Sequence, residues 1–319
     1  MADRRSVERA ARMRAWRLAP LALVAGLWLP YACSPPESAR IRDVARTEAT
    51  RFVPLSRGIT HYEVDGPADG PPVVLIPGLS VPLYCWDPTV PALAQAGLRA
   101  IRYDLYGRGL SDRPEASAYD LALYDAQLSE LIDRLAPGRP VDLVGLSMGG
   151  IVAAEFTRRH PERVRRVVLI DPAGVGADIP VMAQVALWPG LGEYVMRVGG
   201  GRQLLPAKKN LLHPERFPDF DRRFLDTARF EGSRRAVLES LRHMPLDGYE
   251  DGFRAFGALG KPTLLVWGKG DSRIPFAASD RVRALVHPAG FLPVEDAGHL
   301  AHYERPEVVN PAVTAFLTR

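Results

Sequence analysis

Short apolar runs alternate with helix-like segments along most of the chain. Continuous apolar runs are typical of strands that are buried on both faces, as in a parallel sheet, and apolar positions spaced three or four residues apart indicate helices. The pattern predicts a hairpin over residues 52–64, strands at 73–76, 98–103, 141–144, 164–170, 263–267 and 291–294, and helices at 88–97, 121–135, 149–160 and 306–317. Strands that alternate with helices predict an α/β fold with a mostly parallel sheet flanked by helices.

The pattern changes between Asp171 and Lys261. Helical segments are interrupted there by prolines and glycines, and no apolar run makes a convincing strand. We expect this stretch, at about residues 172–260, to be a helical cap inserted between two strands of the core. Its apolar pieces, residues 181–188 and 194–198, would suit a hydrophobic acyl or aryl group of a substrate. Alternatively, they only pack onto the core.

The first 33 residues have the pattern of an export signal. An arginine-rich segment precedes residues 18–32, which carry no charge, and Cys33 follows; the arginines are Arg4, Arg5, Arg9, Arg12, Arg14 and Arg17. This order is typical of a secretory signal, and the Ala32-Cys33 junction also resembles a bacterial lipoprotein signal, in which the cysteine is lipidated. The apolar run is short for a membrane span of about 20 residues. A cleaved signal, a lipoprotein, an uncleaved anchor and a helix packed on the domain remain open.

This segment determines the expected location and the overall charge. We expect an exported protein, periplasmic, extracellular or tethered to a membrane through the N-terminal segment or Cys33, with residues 34–51 as a linker. The chain has 41 Lys and Arg against 37 Asp and Glu, and the excess lies in the first 33 residues. The remainder therefore gives no electrostatic reason to expect nucleic acid as a partner.

Cysteine and histidine patterns exclude several classes of site. Two cysteines are too few for a disulfide scaffold, and Cys85 is expected to be a buried free thiol. The chain has no His-Glu-x-x-His motif and no paired histidine or cysteine spacing. The glycines of residues 104–109 lack the spacing of a phosphate-binding loop. We therefore expect no metal and no organic cofactor.

A candidate nucleophile lies between an apolar run and a helix. Gly145-Leu146-Ser147-Met148-Gly149 is a G-x-S-x-G motif that directly follows the strand predicted at 141–144 and precedes the helix at 149–160. In this context the serine occupies a sharp strand-to-helix turn, where larger flanking side chains would clash. The turn exposes the hydroxyl at the carboxyl end of the sheet, beside the helix N-terminus.

Five motifs in order make the sequence similar to the α/β-hydrolase family, from about residue 52 to 319. They are Pro77-Gly78-Leu79, the segment DLYGRGLSD at residues 104–112, the G-x-S-x-G motif, an acid in WGKGDSRIP, and a histidine in EDAGHLAHYERP. The resemblance implies the order Ser147, Asp271, His299 for a catalytic triad. The backbone N–H groups of Leu79 and Met148 would then form the oxyanion hole.

Two residues compete with members of this triad. His302 is the near competitor of His299, and Asp171, at the end of an earlier strand, competes with Asp271 because some family members place the acid there.

One residue departs from the family pattern. The family commonly has His-Gly before the oxyanion-loop donor, whereas this chain has Pro77-Gly78. The change removes a side chain that braces the loop, but it leaves both backbone donors.

The expected activity is hydrolysis of small carboxylic esters with apolar acyl or aryl groups. Ser147 would attack the carbonyl carbon, His299 would transfer the proton, and water would release the acyl-enzyme. A serine at this position argues against the branches of the family that use aspartate there. Hydrolysis of a carbon–carbon bond in a ring-cleavage product is the alternative, since that branch shares the triad and the cap. A ligand-binding protein without catalysis is the third hypothesis.

Overall fold

The structure is a computed structural model. It describes residues 26–34, 36–44, 51–115, 118–177, 184–185, 187–199 and 207–319. The export signal predicted from the arginine-rich segment therefore lies mostly outside the described residues. In the part of the chain that is described, no helix is long and apolar enough to cross a membrane.

The centre of the molecule is an eight-stranded sheet with the strand order β1-β2-β4-β3-β5-β6-β7-β8. Strands β1 and β2 form the predicted N-terminal hairpin, β2 also pairs antiparallel with β4, and all other neighbours are parallel. The strands are β1 Arg51–Leu55, β2 Gly58–Asp65, β3 Pro72–Ile76, β4 Arg99–Tyr103, β5 Val141–Leu146, β6 Val164–Ile170, β7 Thr263–Gly268 and β8 Gly290–Val294. The predicted mostly parallel α/β fold is confirmed.

Helices cover both faces of this sheet, and further helices lie in the stretch between β6 and β7. They are α1 Val90–Gln95, α2 Leu121–Leu135, α3 Met148–Arg159, α4 Leu191–Gly199, α5 Phe220–Ala228, α6 Ser233–His243, α7 Glu250–Gly257, α8 Ala278–Val286, α9 Ala301–Glu304 and α10 Pro306–Leu317. Successive side chains of a strand point to opposite faces. In β3, Val74 and Ile76 accordingly pack with α2, α3, α7 and α8, whereas Val73 and Leu75 pack with α1 and α10. The sequence pattern did not predict α8.

The stretch between β6 and β7, here called the insert (residues 172–260), contains helices, turns and one isolated bridge residue, but no strand, in the residues that are described. Helices α4 and α6 pack on each other through a small apolar cluster, Val195, Met196, Val237 and Leu238. Helix α7 differs, because Phe253 and Phe256 belong to the main core beside the sheet. The Tyr249 hydroxyl, just before α7, also donates a hydrogen bond to Glu155 in α3 at 2.7 Å. The last part of the insert is thus joined to the core layer.

The N-terminal residues that the structure describes contact the insert. Residues 26–33 are helical, and the Tyr194 hydroxyl of α4 donates to the carbonyl of Leu27 at 3.0 Å. Tyr31 stacks on Tyr194 with ring centroids 6.2 Å apart. Ala39 forms an isolated parallel bridge with Phe230 between α5 and α6. Residues 37–40 of the expected linker are therefore paired with the insert.

The two cysteines are in different environments. Cys85 is a free thiol and is completely buried beneath the sheet, as the sequence predicted. Burial raises the pKa of this thiol well above its ordinary value. Cys33 is a free thiol at the surface. Only Cys33 is therefore accessible to modification.

Candidate active site

The candidate residues lie in loops at one edge of the sheet. Strands β3, β5, β6, β7 and β8 are parallel, so their carboxyl ends share that edge. Residues 77–79 follow β3, Ser147 follows β5, Asp271 follows β7 and His299 follows β8. Ligands of open α/β sheets bind outside the carboxyl ends of the strands. The topology therefore brings together residues that are far apart in sequence.

Ser147 occupies a strained turn between β5 and α3. Its backbone has φ 54° and ψ −120°, in a region that residues other than glycine rarely adopt. Its N–H donates to the carbonyl of Ile170 at 2.9 Å, which fixes the turn to β6. A Cβ at Gly145 would lie 2.3 Å from the carbonyl oxygen of Gly149, and one at Gly149 would lie 2.3 Å from that of Ile76. The turn therefore requires both glycines of the motif.

The loop after β3 passes directly over the serine. A Cβ at Gly78 would lie 3.3 Å from Ser147 Cβ and 3.8 Å from Ser147 Oγ. Leu79 is the next residue along this loop. Met148 is the first residue of α3, where backbone N–H groups lack partners inside the helix. Of the two expected oxyanion donors, Leu79 therefore follows a residue that approaches Ser147, and Met148 follows Ser147 itself.

Asp271 and His299 form a buried pair. His299 Nδ1 lies 2.7 Å from Asp271 Oδ2, and the two residues are 7% and 6% exposed. The other carboxylate oxygen of Asp271 accepts from the backbone N–H groups of Arg273 at 2.7 Å and Ile274 at 3.0 Å. With Asp271 ionised, Nδ1 carries the proton and Nε2 is left as a base. Asp271 thus sets both the orientation and the tautomer of the ring.

Ser147, the third expected member of the triad, lies at the same edge of the sheet, but it has no hydrogen bond to His299. Among the described residues, no hydrogen bond joins Ser147 Oγ to His299. Such bonds are commonly loose in the absence of substrate and tighten when it binds. The structure therefore brings together Asp271 and His299 directly, and brings Ser147 to them through the topology of the sheet.

The two competing residues have other partners. Asp171 is completely buried, and its Oδ1 accepts from the Gly268 N–H at 2.7 Å. Burial and the nearby charge of Asp271 raise the pKa of Asp171 well above its ordinary value. His302 packs against Trp86 with ring centroids 4.4 Å apart and the rings tilted by 36°, and its Nε2 lies 3.0 Å from the carbonyl of Cys85. Burial lowers the pKa of His302 to about 3, so it packs as a neutral ring.

Sequence reasoning missed Glu304, which holds the histidine loop in place. Its buried carboxylate accepts from the N–H groups of Gly298 at 2.6 Å, Leu212 at 2.7 Å and His213 at 3.0 Å. The residue beside Gly298 is His299, whose own N–H donates to Asn210 at 2.9 Å. Glu304 thereby fixes the loop of the base to the insert. An acid five residues after His299 is a weak signal in a single sequence, because helix entries often carry one.

No group of three or more histidine, cysteine or acidic side chains that could hold a metal ion occurs in the described part of the chain. One edge of the sheet carries a strained serine, a buried histidine–aspartate pair and the two expected backbone donors. This combination can activate a hydroxyl and stabilise the oxyanion that forms when the hydroxyl attacks a carbonyl.

A comparison with known families agrees with this geometry. The family model for the alpha/beta hydrolase fold matches residues 71–306. The chain belongs to the α/β-hydrolase family. A protein of Variovorax paradoxus (strain S110) is 30% identical over 81% of this chain and 96% of its own length; it is named carbamate hydrolase RutD, with the activity marked as provisional. Carboxylesterase YbfK of Bacillus subtilis (strain 168) is 26% identical over 84% of this chain and 86% of its own.

Two other proteins similar to this α/β-hydrolase are named for substrates that differ from each other. The 2-hydroxy-6-oxononadienedioate/2-hydroxy-6-oxononatrienedioate hydrolase of Klebsiella pneumoniae is 29% identical over 71% of this chain and 79% of its own. Among solved structures, a thermophilic esterase from Thermogutta terrifontis is 26% identical, with a TM-score of 0.68 over 84% of this chain and 98% of that one. These relatives establish an enzyme superfamily of hydrolases, and they include both ester hydrolases and hydrolases of ring-cleavage products.

Proposed function

We propose that the protein hydrolyses carboxylic esters through an acyl-enzyme on Ser147. The buried 2.7 Å contact between His299 and Asp271, at the sheet edge that also carries the strained Ser147, is the observation that supports this most. His299 takes the proton of the Ser147 hydroxyl as its oxygen attacks the carbonyl carbon. The N–H groups of Leu79 and Met148 stabilise the oxyanion. The proton then goes to the leaving alcohol, and water, activated by His299, releases the acid.

A fluorophosphonate probe tests the nucleophile directly. Labelling of the purified protein, lost in Ser147→Ala, would establish an activated serine. Ser56→Ala is the matched control, because Ser56 is an exposed serine that bonds to Glu130 near the β1–β2 turn. The control should label like the wild type. A folded protein that is not labelled would contradict the proposal and favour a ligand-binding role.

We further propose that the substrate carries an apolar acyl or aryl group. The insert exposes Leu187, Trp188 and Leu191, with Trp188 68% exposed, so it offers apolar surface to a ligand. A series of p-nitrophenyl esters from acetate to decanoate tests this preference. A rise of kcat/KM with chain length supports it, and preference for a charged or very short acyl group contradicts it.

Cleavage of a carbon–carbon bond is the second candidate reaction. It is favoured by the named activity of the Klebsiella pneumoniae relative, at 29% identity. In that reaction water adds to a ketone to give a hydrate, and the carbon–carbon bond breaks to give an acid and an enolate. The enolate takes the proton that the hydrate's hydroxyl loses and becomes an enol. Loss of the absorbance of a 2-hydroxy-6-oxo-dienoate, measured beside the ester panel, separates the two activities. Turnover of the dienoate with no turnover of any ester would replace the first proposal.

We also propose that the protein is exported and held at a membrane surface by its N-terminal segment. The arginine-rich start and the uncharged residues 18–32 support export, and Leu27, Trp28 and Leu29 are exposed. Glu37, four residues after Cys33, is bonded to the insert. Because four extended residues span at most about 14 Å, a lipid attached to Cys33 would begin no farther than that from Glu37. Mass spectrometry tests this: an acylated Cys33 at the mature N-terminus supports a lipoprotein, and an intact Met1 excludes both cleavage models.

A further inference from the structure

Arg108, in the loop after β4, is a buried cation with an unusual set of partners. It is 3% exposed, although arginine is rarely buried without a charged partner. The hydrogen bonds that it donates go to neutral oxygens: the carbonyls of Leu79, Tyr106 and Ala236 and the hydroxyls of Tyr124 and Ser240. Burying a charge in this way costs free energy that an apolar side chain would not incur. The position therefore calls for an explanation other than stability.

The partners of Arg108 belong to three separate parts of the molecule. Its Nε lies 2.7 Å from the carbonyl oxygen of Leu79, in the loop over Ser147. One terminal nitrogen lies 2.8 Å from the Tyr124 hydroxyl in α2, and the other lies 2.8 Å from Ser240 Oγ in α6 of the insert. A planar guanidinium holds several acceptors in fixed directions at once, which a lysine cannot do. One side chain thus joins the expected oxyanion loop to the insert.

The loop needs such a contact. The residue before Gly78 is Pro77, whose side chain donates no hydrogen bond and which has no backbone N–H. Leu79 is half-buried, and its carbonyl accepts a hydrogen bond from Arg108, while its N–H is the expected oxyanion donor. Because both groups belong to one residue, holding the carbonyl limits how far the N–H can turn. Oxyanion donors are effective only when they are held in place before the reaction.

We propose that Arg108 is a positioning residue of the oxyanion hole, and that it makes the hole depend on the placement of helix α6. The proposal rests on the ester hydrolysis proposed above. Arg108 acts through Leu79 and does not touch the substrate. The contact from Arg108 to Ser240 transmits the position of the insert to the loop over the nucleophile.

Three variants test this role. Arg108→Met removes every N–H donor of the guanidinium and keeps an apolar side chain of similar length. Arg108→Lys keeps the positive charge, but its donors are all on one nitrogen. Ser240→Ala removes the hydrogen bond from Arg108 to the Ser240 hydroxyl and leaves the longer one to the Ala236 carbonyl. Removal of one oxyanion donor lowers kcat by about 100-fold to 1000-fold, so a displaced donor should cost about tenfold to 100-fold in Arg108→Met. Arg108→Lys should recover part of this loss, and Ser240→Ala should show a smaller loss of the same kind.

Arg113 provides a matched control. It is a second arginine of the same loop, and it bonds to Gly109 and to Ser233 of α6, but not to Leu79. Arg113→Met removes a comparable partly buried guanidinium from the same region. Its kcat should stay close to that of the wild type, because the contacts from Arg108 to Leu79 and Ser240 remain.

The measurements must separate positioning from general structural damage. The affinity for a boronic acid, which imitates the tetrahedral intermediate, should fall in Arg108→Met in proportion to kcat, with KM nearly unchanged. Urea denaturation establishes that each variant is folded. If Arg108→Met is folded and keeps its kcat and its boronic acid affinity, the proposal is wrong. If it does not fold, Arg108→Lys and Ser240→Ala decide by the same criteria.

Failure of the underlying function gives a different result. A wild type that neither labels with the fluorophosphonate nor turns over esters or the dienoate contradicts the hydrolase proposal, and with it the role of Arg108. An active wild type with unaltered Arg108 variants contradicts the role of Arg108 alone.

Discussion

Two buried aspartates end neighbouring strands, and their hydrogen bonds assign them different roles. Asp271, after β7, accepts from His299 and from two backbone N–H groups, which hold its carboxylate in one orientation. Asp171, after β6, accepts from the Gly268 N–H, and its raised pKa favours the neutral form. An amide is a close substitute for a neutral carboxyl group, but not for an ionised one that orients a histidine.

We therefore expect opposite results from the two asparagine variants. Asp271→Asn should lower kcat by about 10³-fold to 10⁴-fold, because the histidine would adopt the wrong tautomer. Asp171→Asn should leave kcat almost unchanged, since an asparagine oxygen can still accept from Gly268. Single-turnover ester hydrolysis and urea denaturation of both variants test this. The reverse order of activities would make Asp171 the acid.

The space over the nucleophile gives a second prediction at the scale of the residue. A Cβ at Gly78 would lie 3.8 Å from Ser147 Oγ, where the carbonyl of a substrate must enter. Gly78→Ala should lower kcat/KM by at least about tenfold, as expected for a small misplacement in a preorganised site, with little loss of stability. Gly290→Ala is the control, since its new Cβ would meet only the flexible end of Leu264, at 3.2 Å. Equal activity of both variants would contradict the expected approach of the substrate.

At the scale of the element, a second histidine–aspartate pair joins β2 to the loop after β4. His61 Nδ1 lies 2.7 Å from Asp104 Oδ2, and both residues are buried. Burial lowers the pKa of His61, but the hydrogen bond and charge of Asp104 outweigh it, so the net pKa is raised. Burial raises the pKa of Asp104, but His61 and the N–H groups of Leu83 and Leu110 outweigh it and lower the pKa.

This pair predicts a pH-dependent stability. The contribution of His61 is full below its unfolded pKa of about 6.5 and is lost as pH rises through the raised folded pKa. The contribution of Asp104 is present above about pH 3.9 and is lost as pH falls through its lowered pKa. His61→Gln should therefore lower the unfolding free energy by about 3–5 kcal/mol near pH 5.5 and by less near pH 9.

Urea denaturation at several pH values measures this difference. His160→Gln is the control, because His160 is 3.4 Å from Asp125 and is only half-buried. His160→Gln should lower the free energy of unfolding by about 1 kcal/mol or less at any pH. A loss in His61→Gln that does not change with pH would show that the pair is not charged in the folded protein.

The elements that sequence predicted are those whose signal is local. The strand, glycines and serine of residues 141–149 lie next to one another, so their pattern is visible without the fold. Helix α8 was missed because it is short and its buried face contains only Ser279, Val282, Leu285 and Val286. The contact between Arg108 and Ser240 joins residues 132 positions apart. No pattern in one sequence indicates such a pair, since it depends on how the insert packs on the core.

At the scale of the whole molecule, the N-terminal segment, the insert and the core form one chain of contacts. Glu37 accepts from the N–H groups of Gly232 at 2.8 Å and Arg234 at 2.6 Å, at the start of α6. The same helix carries Ala236 and Ser240, which accept from Arg108. Arg108 in turn donates to Leu79. A segment that sequence alone describes as a linker is thus connected, through one helix, to the loop over the nucleophile.

This connection predicts that Glu37 stabilises the insert. An acidic side chain that satisfies free N–H groups at a helix N-terminus contributes about 0.5–2 kcal/mol, through both the hydrogen bonds and the helix dipole. Glu37→Ala should therefore increase hydrogen exchange in α6 and lower the stability of the insert by about 1 kcal/mol. Glu231→Ala is the control, because its contact with Arg40 at 3.6 Å is exposed and should contribute little. Hydrogen exchange followed by mass spectrometry measures both. Equal exchange in α6 for both variants would mean that the N-terminal segment does not hold the insert, and that the insert keeps its position through its own packing on the core.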